Sequence, residues 1–303
     1  MLQALQETGA KVRENADLNR KLYWRCGGPA RFLVEASSLE QLQAVMRVAH
    51  AHQQPVTVLG RGSNSLVHDD GISGITLMLK GALAAVEIEG ERAVVGGGLR
   101  LNVLLSRLDR AGLAGAEPFA GIPGTMGGAV VMNAGTTLGE AKDLLVSAEI
   151  VLPDGSLQVL EVGQLGLSYR HSALPPGSVV ARATLQLQSD SEGTRAAARE
   201  AFLERRKATQ PLDLPSCGST FTNPPGDSAG RLIDACGLKG HRIGGAVISE
   251  KHANFFLNEG GASSEDVRQL IVHARRVVFE QTGVLLRPEV QLLGDWGPDP
   301  LGI

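Results

Sequence analysis

The side chains best suited to chemistry lie in a short loop between prolines, which reads PSCGSTFTNPPG over residues 215–226. It places a thiol, Cys217, and a hydroxyl, Ser219, among small residues and turn formers. One of them could be a nucleophile or another kind of reagent, or the segment could be only a turn. The nucleophile-elbow pattern G-x-S-x-G is absent, because the residues around Ser219 read C-G-S-T-F.

Glycine is the second unusual feature of the chain. It accounts for 38 of 303 residues, well above the usual ~7%. Much of it is clustered in LGRGSN (59–64), VGGGL (95–99), AGIPGTMGGAVVMNAG (120–135) and HRIGGAV (241–247). These glycines stand among Val, Ile, Leu and Met, unlike those of a Gly/Ser linker. The pattern indicates backbone that turns sharply or approaches a ligand closely.

Two of these clusters have the composition of an anion site. The loop 60–64 can aim consecutive N–H groups at an anion, with further donors from Ser63 and Asn64 and positive charge from Arg61. The segment 121–128 could do the same from a second side, and two such loops suit a pyrophosphate. Neither has the spacing of a Rossmann or P-loop site. For either loop alone, a tight turn is the simpler interpretation.

Composition excludes several classes of function. Charged residues make up 20% and apolar residues 43% of the chain, as in soluble globular proteins. A net charge of −3 and 4% aromatic residues disfavour nucleic-acid binding. The N-terminus has no apolar signal region, and no apolar stretch approaches the ~18 residues of a membrane span. Three cysteines without C-x-x-C predict neither a disulfide framework nor a metal site, and they fit a reducing cytoplasm.

The pattern of elements predicts an α+β fold with room for two domains. Ser37 and Glu40 form a capping box before an amphipathic helix. A buried strand at 55–59 should follow. Further predicted elements are strands at 74–79 and 179–188, a hairpin at 148–162 turning at Asp154-Gly155, and helices at 101–108, 191–210, 231–236 and 267–278, three of them ended by Gly112, Gly237 and Gly283.

Six motifs together resemble one enzyme family. They are LGRGSNSLVHDDG, AGIPGTMGGAVVMNAG, YRHS, CGSTFTNP, GLKGHRIGGAVISEKHANFFLN and RPEVQLLG. In this order, from residue 22 to 294, they resemble the UDP-N-acetylenolpyruvoylglucosamine reductases, flavoenzymes that make UDP-N-acetylmuramate for bacterial peptidoglycan. The chain lacks room between Tyr169 and Ser219 for the additional substrate loop of the longer subtype, so it resembles the shorter one.

The resemblance implies a fold, a cofactor and ligands. It implies a two-subdomain FAD-binding module of the vanillyl-alcohol-oxidase (PCMH) type over 21–190, divided at about residue 80. An N-terminal segment, 1–20, would precede it, and an α+β substrate-binding domain, 191–303, would follow. FAD would be held non-covalently, and NADPH and UDP-N-acetylglucosamine enolpyruvate would be the reactants. We expect a cytoplasmic monomer that binds neither nucleic acid nor membrane.

The resemblance also assigns site residues. The matched catalytic positions are Ser219, as the proton donor, Arg170 and Glu289. The matched substrate positions are Tyr169 and Asn223. The matched FAD-binding positions are Gly60, Arg61, Gly62, Ser63, Asn64, Ser65, Gly121, Ile122, Pro123, Gly124, Thr125, Gly127, Gly128, Asn133 and Ala134.

Each catalytic assignment has a simpler alternative. Arg170 could be a surface cation stacked on Tyr169, Glu289 could be a charge that protects an edge strand, and Ser219 could belong to a turn. The whole chain could be another flavin oxidoreductase of the same superfamily, or a non-catalytic flavin or nucleotide-sugar sensor. Thr222 stands where many family members have Lys, so a phosphate contact would have to come from Arg205, Arg206, Lys207 or Lys239.

Overall fold

A computed structural model describes residues 1–190 and 194–302. The chain divides into two compact units, each made of separated stretches. The first comprises Met1–Glu14, Phe32–Arg61 and Gly74–Glu204, and the second comprises Asn15–Arg31, Gly62–Ser73 and Arg205–Ile303. The predicted domain boundary after residue 190 falls at 191–193, outside the described residues.

Helices and strands are interspersed without strict βαβ alternation, which is the α+β organisation predicted. The α-helices are α1 (Leu2–Glu7), α2 (Leu39–Ala51), α3 (Leu101–Arg110), α4 (Met126–Val131), α5 (Thr194–Thr209), α6 (Ala229–Ala235) and α7 (Ser264–Thr282). The strands are β1 (Lys11–Ala16), β2 (Ala30–Ala36), β3 (Val56–Val58), β4 (Ser65–Val67), β5 (Ile72–Leu79), β6 (Val86–Glu89), β7 (Arg92–Gly96), β8 (Leu113–Ala114), β9 (Gly135–Thr136), β10 (Gly139–Glu140), β11 (Leu145–Val151), β12 (Leu157–Glu161), β13 (Val179–Gln186), β14 (Gln188–Ser189), β15 (Arg242–Ile243), β16 (Ala246–Ile248), β17 (Phe256–Asn258) and β18 (Gln291–Leu293).

Two sheets organise the first unit. One has the strand order β1-β2-β5-β3, and the other is antiparallel with the order β12-β11-β13-β7-β6. Helix α2 buries Leu42, Val45 and Met46 against the first sheet. Helix α3 buries Leu101, Leu104 and Leu108 in the core of the second sheet. The predicted hairpin is β11 and β12, with Gly155 in its turn at φ 83°.

Two local predictions in this unit are wrong. The helix cap is Ser38 instead of Ser37: the Ser38 side chain accepts a hydrogen bond from Gln41 N, while Ser37 N donates to the Gln41 side chain. Ser37 and Ser38 carry the same capping chemistry, so only the backbone trajectory decides between them. Strand β3 is not buried, since it lies at the edge of its sheet and leaves Val58 45% exposed.

The second unit packs α6 and α7 with the sheet β15-β16-β17 and with a parallel pair, β4 and β18. Helix α7 buries Val267, Leu270 and Ile271 on one face, as its spacing predicts. It begins at a Ser263 capping box and ends at Gly283, whose φ of 72° is typical of a left-handed C-cap. Each buried Leu or Ile side chain on this face contributes about 1.5–3 kcal/mol.

Candidate functional site

The segment after Cys217 is held by backbone hydrogen bonds within the second unit. Ser219 pairs with Phe255 as an isolated antiparallel bridge, and Thr220 N donates to Asn254 O at 2.8 Å. Ser219 itself is half-buried. Its backbone is held in place by the bridge to Phe255. Ser219 therefore does not lie in an isolated turn, since its backbone belongs to a paired strand-like segment.

The structure brings Ser219 and Glu289 onto neighbouring segments. Glu289 N donates to Thr220 O at 2.8 Å, and Thr222 N donates to Arg287 O at 2.9 Å. On its other side, Glu289 O accepts a hydrogen bond from Asn64 Nδ2 at 2.9 Å. The backbone of Glu289 is thus paired on both sides. This pairing disfavours the alternative that Glu289 only protects a free strand edge.

A cavity of about 420 Å³ opens beside Ser219 and Asn223. Its lining includes the cations Arg231, Lys239 and Lys251 and the carboxylate of Asp234. The excess of positive charge favours an anionic ligand. Of the four cations considered in place of a Lys at Thr222, Lys239 lines this cavity, while 205–207 are not part of its lining.

The lining cations also have partners within the protein. Arg231 forms a two-point ion pair with Asp227, Lys239 Nζ lies 2.7 Å from Asp234 Oδ2, and Lys251 Nζ donates to Lys207 O at 2.9 Å. These pairs hold the cations in place around the cavity. The Arg231 guanidinium is the first cause of the lowered Asp227 pKa, about 2, so both partners are charged at neutral pH.

The thiol of Cys217 is unsuited to nucleophilic chemistry. The side chain is buried, and its Sγ lies 3.7 Å from Gly62 O and 3.6 Å from Ser65 O. Burial raises the pKa of this thiol far above its usual range, which keeps it protonated at neutral pH. Ser219 is therefore the reactive candidate of the loop.

In the first unit, the two glycine loops come together at Gly60 and Thr125. A Cβ atom at Gly60 would lie 2.7 Å from Thr125 Oγ1, so a side chain at this position would force Thr125 to move. Gly127, in α4, has a structural role: its N–H donates to Gly97 O at 2.8 Å, and a Cβ would lie 3.1 Å from the same oxygen. Gly128 is exposed, and its nearest neighbour would be Thr125 Oγ1 at 3.8 Å.

Residues 62–65 of the first glycine loop belong to the second unit, and Arg61 belongs to the first. Gly62 has φ 62°, and a Cβ there would lie 2.7 Å from Lys21 O. Asn64 accepts from Gln291 N at 3.0 Å and donates to Glu289 O, as described above. These contacts give Gly62 and Asn64 a structural role that loop composition alone does not indicate. Ser63 and Ser65 are half-buried, and Arg61 is exposed.

Arg170 and Tyr169 form the tip of a tight hairpin in the first unit. The Arg170 guanidinium carbon lies 5.0 Å from the centre of the Tyr169 ring, which is the stacking that we considered as an alternative. Its Nη2 also donates to Gly135 O at 3.1 Å. Asn133 is fully buried nearby, with its amide bonded to Glu140, Ser168 and the Lys142 backbone. Arg170 and Ser219 thus belong to different units of the chain.

The surface of the first unit fits a diphosphate-bearing cofactor. At Gly128, the space that a side chain would occupy is open. Gly121 is exposed. Ile122, Pro123, Gly124 and Ala134 are half-buried, and Thr125 is buried beside Gly60. Short, side-chain-poor backbone of this kind can accept phosphate oxygens closely.

Sequence reasoning missed several residues around these sites. Arg231 and Lys251 line the cavity, and Glu140 accepts hydrogen bonds beside Arg170's hairpin. The four-residue spacing of Asp227 and Arg231 at a helix start could have indicated their ion pair.

Across residues 1–190 and 194–302, no helix is long and apolar enough to span a bilayer. The same residues contain no cluster of three His, Cys, Asp or Glu side chains arranged to hold a metal ion.

Family models match both halves of the chain. Residues 210–293 match the model described as "UDP-N-acetylenolpyruvoylglucosamine reductase, C-terminal domain", and residues 30–161 match the model described as "FAD binding domain". The second match covers the Gly60 and Thr125 loops, and the first covers Ser219, Glu289 and the cavity.

Similar proteins cover nearly the whole chain. The UDP-N-acetylenolpyruvoylglucosamine reductase of Anaeromyxobacter dehalogenans is 46% identical over 91% of this chain and 84% of its own length. That of Myxococcus xanthus is 44% identical over 95% of this chain and 94% of its own. The crystal structure of the reductase from Thermus caldophilus superposes with a TM-score of 0.82 at 39% identity, covering 94% of this chain and 99% of that one. A chitooligosaccharide oxidase, at 16% identity and a TM-score of 0.50 over 62% of this chain, shares the fold alone.

Proposed function

The chain belongs to the UDP-N-acetylenolpyruvoylglucosamine reductase family, and from that premise we propose how its residues carry the reaction. It is a flavin-dependent oxidoreductase that reduces UDP-N-acetylglucosamine enolpyruvate to UDP-N-acetylmuramate with NADPH as the hydride donor. The observation that carries the assignment of residues is the pairing of the Ser219 and Glu289 segments beside a cation-lined cavity.

We assign FAD to the glycine loops of residues 60–65 and 121–128, with Asn133 and Ala134 next to the second loop. When bound, FAD would carry hydride from NADPH to C3 of the enolpyruvyl group. The close approach of Gly60 to Thr125 and the open space at Gly128 support this assignment. The protein's part is to present backbone N–H groups and small side chains to the phosphates.

Ser219 is the proposed proton donor to C2 of the substrate. Hydride addition at C3 leaves negative charge at C2 and in the attached carboxylate, and this carbanionic enolate is a strong base. A hydroxyl is a weak acid, but the basicity of the acceptor matches it. The half-buried position of Ser219 beside the cavity supports this role.

Arg170 and Glu289 are the proposed partners of the developing charge. A guanidinium suits a carboxylate that gains charge, because it offers paired donors and a permanent cation. Glu289 would act with a proton on its carboxyl group or by orienting a donor, since a bare carboxylate would repel the enolate. The pairing of Glu289 with the Ser219 segment supports its assignment.

The cavity beside Ser219 is the proposed substrate site. Asn223 and Lys239 line this cavity together with Ser219. The positive charge of its lining would attract the diphosphate of the ligand. Lys239 then supplies the cation that Thr222 lacks. Tyr169, at the tip of the Arg170 hairpin, is assigned to the substrate as well, and its side chain is 48% exposed.

The wider assignments follow the same premise. We propose an FAD-binding module over 21–190 and a substrate domain over 191–303, which the two family matches support. We also propose a cytoplasmic monomer of the shorter subtype. Light scattering of the purified holoprotein would test the oligomeric state, and a particle of twice the chain mass of 31.8 kDa would contradict it.

One spectroscopic experiment tests the function. Purified protein should show visible flavin absorbance that bleaches with NADPH under anaerobic conditions and returns when UDP-N-acetylglucosamine enolpyruvate is added. Bleaching without recovery would indicate a flavin oxidoreductase with a different substrate. Flavin that NADPH fails to bleach would indicate a sensor. Either result would contradict the proposal.

A further inference from the structure

The backbone of Arg170 adopts a conformation that needs support. Ser168 and His171 exchange two backbone hydrogen bonds, of 3.0 and 3.1 Å, across the dipeptide Tyr169-Arg170. Arg170 has φ 56°, whereas Tyr169 is not among the residues with positive φ. This is the φ pattern of a type II turn, whose third position normally takes glycine. A non-glycine residue in this region persists when its surroundings determine it, and such residues cluster at functional sites.

The amide of Asn133 provides part of that support. Asn133 is fully buried. Its Nδ2 donates both to Ser168 O, at 3.1 Å, and to Glu140 Oε2, at 3.0 Å, while its Oδ1 accepts from Lys142 N at 2.9 Å. One side chain therefore connects the base of the Arg170 hairpin to the carboxylate of Glu140.

Glu140 is connected to Arg170 by a second route. Arg170 Nη2 donates to Gly135 O at 3.1 Å, and Gly135 is the cross-strand partner of Glu140 in the β9–β10 pair. The Glu140 carboxylate also accepts from Asp143 N in a capping box and lies 2.8 Å from Lys142 Nζ. Lys142 is the first cause of the lowered Glu140 pKa, with smaller contributions from Asn133 and Arg170, so the carboxylate is ionised at neutral pH.

We propose that Glu140 is a positioning residue for Arg170: its carboxylate, through Asn133, fixes the strained hairpin, and its backbone pairs with Gly135, whose carbonyl accepts from the guanidinium. Together these contacts aim the guanidinium at the carboxylate of the enolpyruvyl substrate. The inference rests on the proposed function of Arg170. Glu140 itself does not contact substrate in this scheme. Its charge and hydrogen bonds set the direction of the Arg170 side chain before the ligand arrives.

A pair of ligands tests this role without turnover. UDP-N-acetylglucosamine enolpyruvate carries the carboxylate that Arg170 would bind, and UDP-N-acetylglucosamine lacks it. Calorimetry on the oxidised holoprotein gives both dissociation constants for the wild type, Arg170→Ala, Glu140→Gln and the double variant. Lys142→Met is the matched control, because it removes an ion pair of Glu140 and leaves its contact with Asn133 in place.

The expected result is a loss confined to the ligand with the carboxylate. Arg170→Ala should weaken its binding by roughly 10- to 100-fold, as for a lost hydrogen bond between charged groups. Glu140→Gln should weaken it by roughly 3- to 10-fold, because the guanidinium keeps its charge but loses its alignment. The double variant should be no weaker than Arg170→Ala. Lys142→Met, and every variant with UDP-N-acetylglucosamine, should match the wild type.

Three outcomes would overturn the inference. If Arg170→Ala weakens binding and Glu140→Gln does not, the positioning role is wrong while the proposed function stands. If Glu140→Gln weakens both ligands equally, Glu140 is only structural. If Arg170→Ala has no effect on either ligand, the proposed role of Arg170 is itself wrong, and the inference that depends on it is wrong too.

Discussion

Asn254 and Phe221 form a closed pair of hydrogen bonds. Asn254 Nδ2 donates to Phe221 O at 2.8 Å, and Asn254 Oδ1 accepts from Phe221 N at 2.9 Å. The side-chain amide thus makes both hydrogen bonds that a neighbouring strand would otherwise make with the backbone of Phe221. Phe221 is buried and lies two positions after Ser219. With the bond from Thr220 N to Asn254 O, this pair holds the Ser219 segment in place.

The first prediction concerns this pair. Asn254→Ala would leave a buried N–H and a buried C=O of Phe221 without their partner, which we expect to lower the free energy of unfolding by about 1–3 kcal/mol. Because Ser219 would shift with its segment, the oxidation of reduced flavin by the enolpyruvyl substrate should also slow. Urea unfolding and stopped-flow flavin absorbance measure the two effects.

Asn258→Ala is the matched control. Asn258 is also buried, and its amide bonds to Trp24 O and to the N–H groups of Gly260 and Ala262. It should cost similar stability without the disproportionate loss of substrate reduction. If both variants slow that step equally, Asn254 contributes only to general stability.

The second prediction separates hydride transfer from protonation. Ser219→Ala should leave the reduction of flavin by NADPH near its normal rate, because that step needs no proton from Ser219. Reduction of the enolpyruvyl substrate should slow by roughly 10²–10⁴-fold, as expected for a lost general acid. Ser219→Cys should recover part of the loss, since a thiol can also donate a proton. Stopped-flow measurement of each half-reaction tests this.

Two other roles for Ser219 give different results. A nucleophile would form a covalent adduct with substrate, visible in the intact mass of the protein. A structural residue would slow both half-reactions together and lower the melting temperature. Either observation would contradict the acid role.

The third prediction concerns FAD. Gly128→Val adds a side chain to an open, exposed position of α4, where the structure has room for a Cβ atom. The apoprotein should therefore fold normally but bind FAD weakly, because the new side chain would stand where a phosphate approaches. Fluorescence titration of the apoprotein with FAD gives the dissociation constant.

Gly163→Val is the control for this substitution. Gly163 is exposed, with no atom within 4 Å of a Cβ placed there, and lies outside the glycine loops. It should bind FAD as the wild type does. Wild-type affinity in Gly128→Val would contradict the placement of FAD at the second loop. Gly62→Val is unsuitable as a test, because its Cβ would collide with Lys21 O and disturb the fold directly.

The fourth prediction is an alkaline loss of stability through Cys217. Burial raises the pKa of this thiol in the folded state, whereas the unfolded chain has the ordinary value near 8.5. The folded state therefore binds more protons above that pH. The stabilisation is complete below the unfolded pKa and is lost as pH rises, by at most about 1.4 kcal/mol per pH unit for one thiol.

Urea unfolding between pH 8.5 and 10 measures this slope. Cys217→Ala should be less stable at neutral pH but should lose stability less steeply above pH 9. Cys236→Ala, which removes a half-exposed thiol, is the control and should keep most of the wild-type slope. Identical slopes for Cys217→Ala and the wild type would show that this thiol does not titrate with unfolding.

Local patterns in the sequence were sufficient for five of the seven α-helices in the described residues, but for only five of the eighteen strands. Helix α7 follows from apolar residues at helical spacing and from Gly283 at its end, and the β11–β12 hairpin follows from Asp154-Gly155. Such signals act over a few residues, so they can be recognised without knowing how the rest of the chain packs. The α+β class and the family resemblance came from the same local information, read over many motifs.

The tertiary structure decided which residues meet. Ser219 and Glu289 are 70 positions apart in the sequence, and only strand pairing brings their segments together. The structure also selected Ser38 over Ser37 as the α2 cap, exposed Val58, and buried Asn133 against Glu140. Long-range hydrogen bonds and burial depend on how distant segments pack. For this reason residue types and spacing identified candidate groups, while their partners, exposure and support could be determined only in the folded chain.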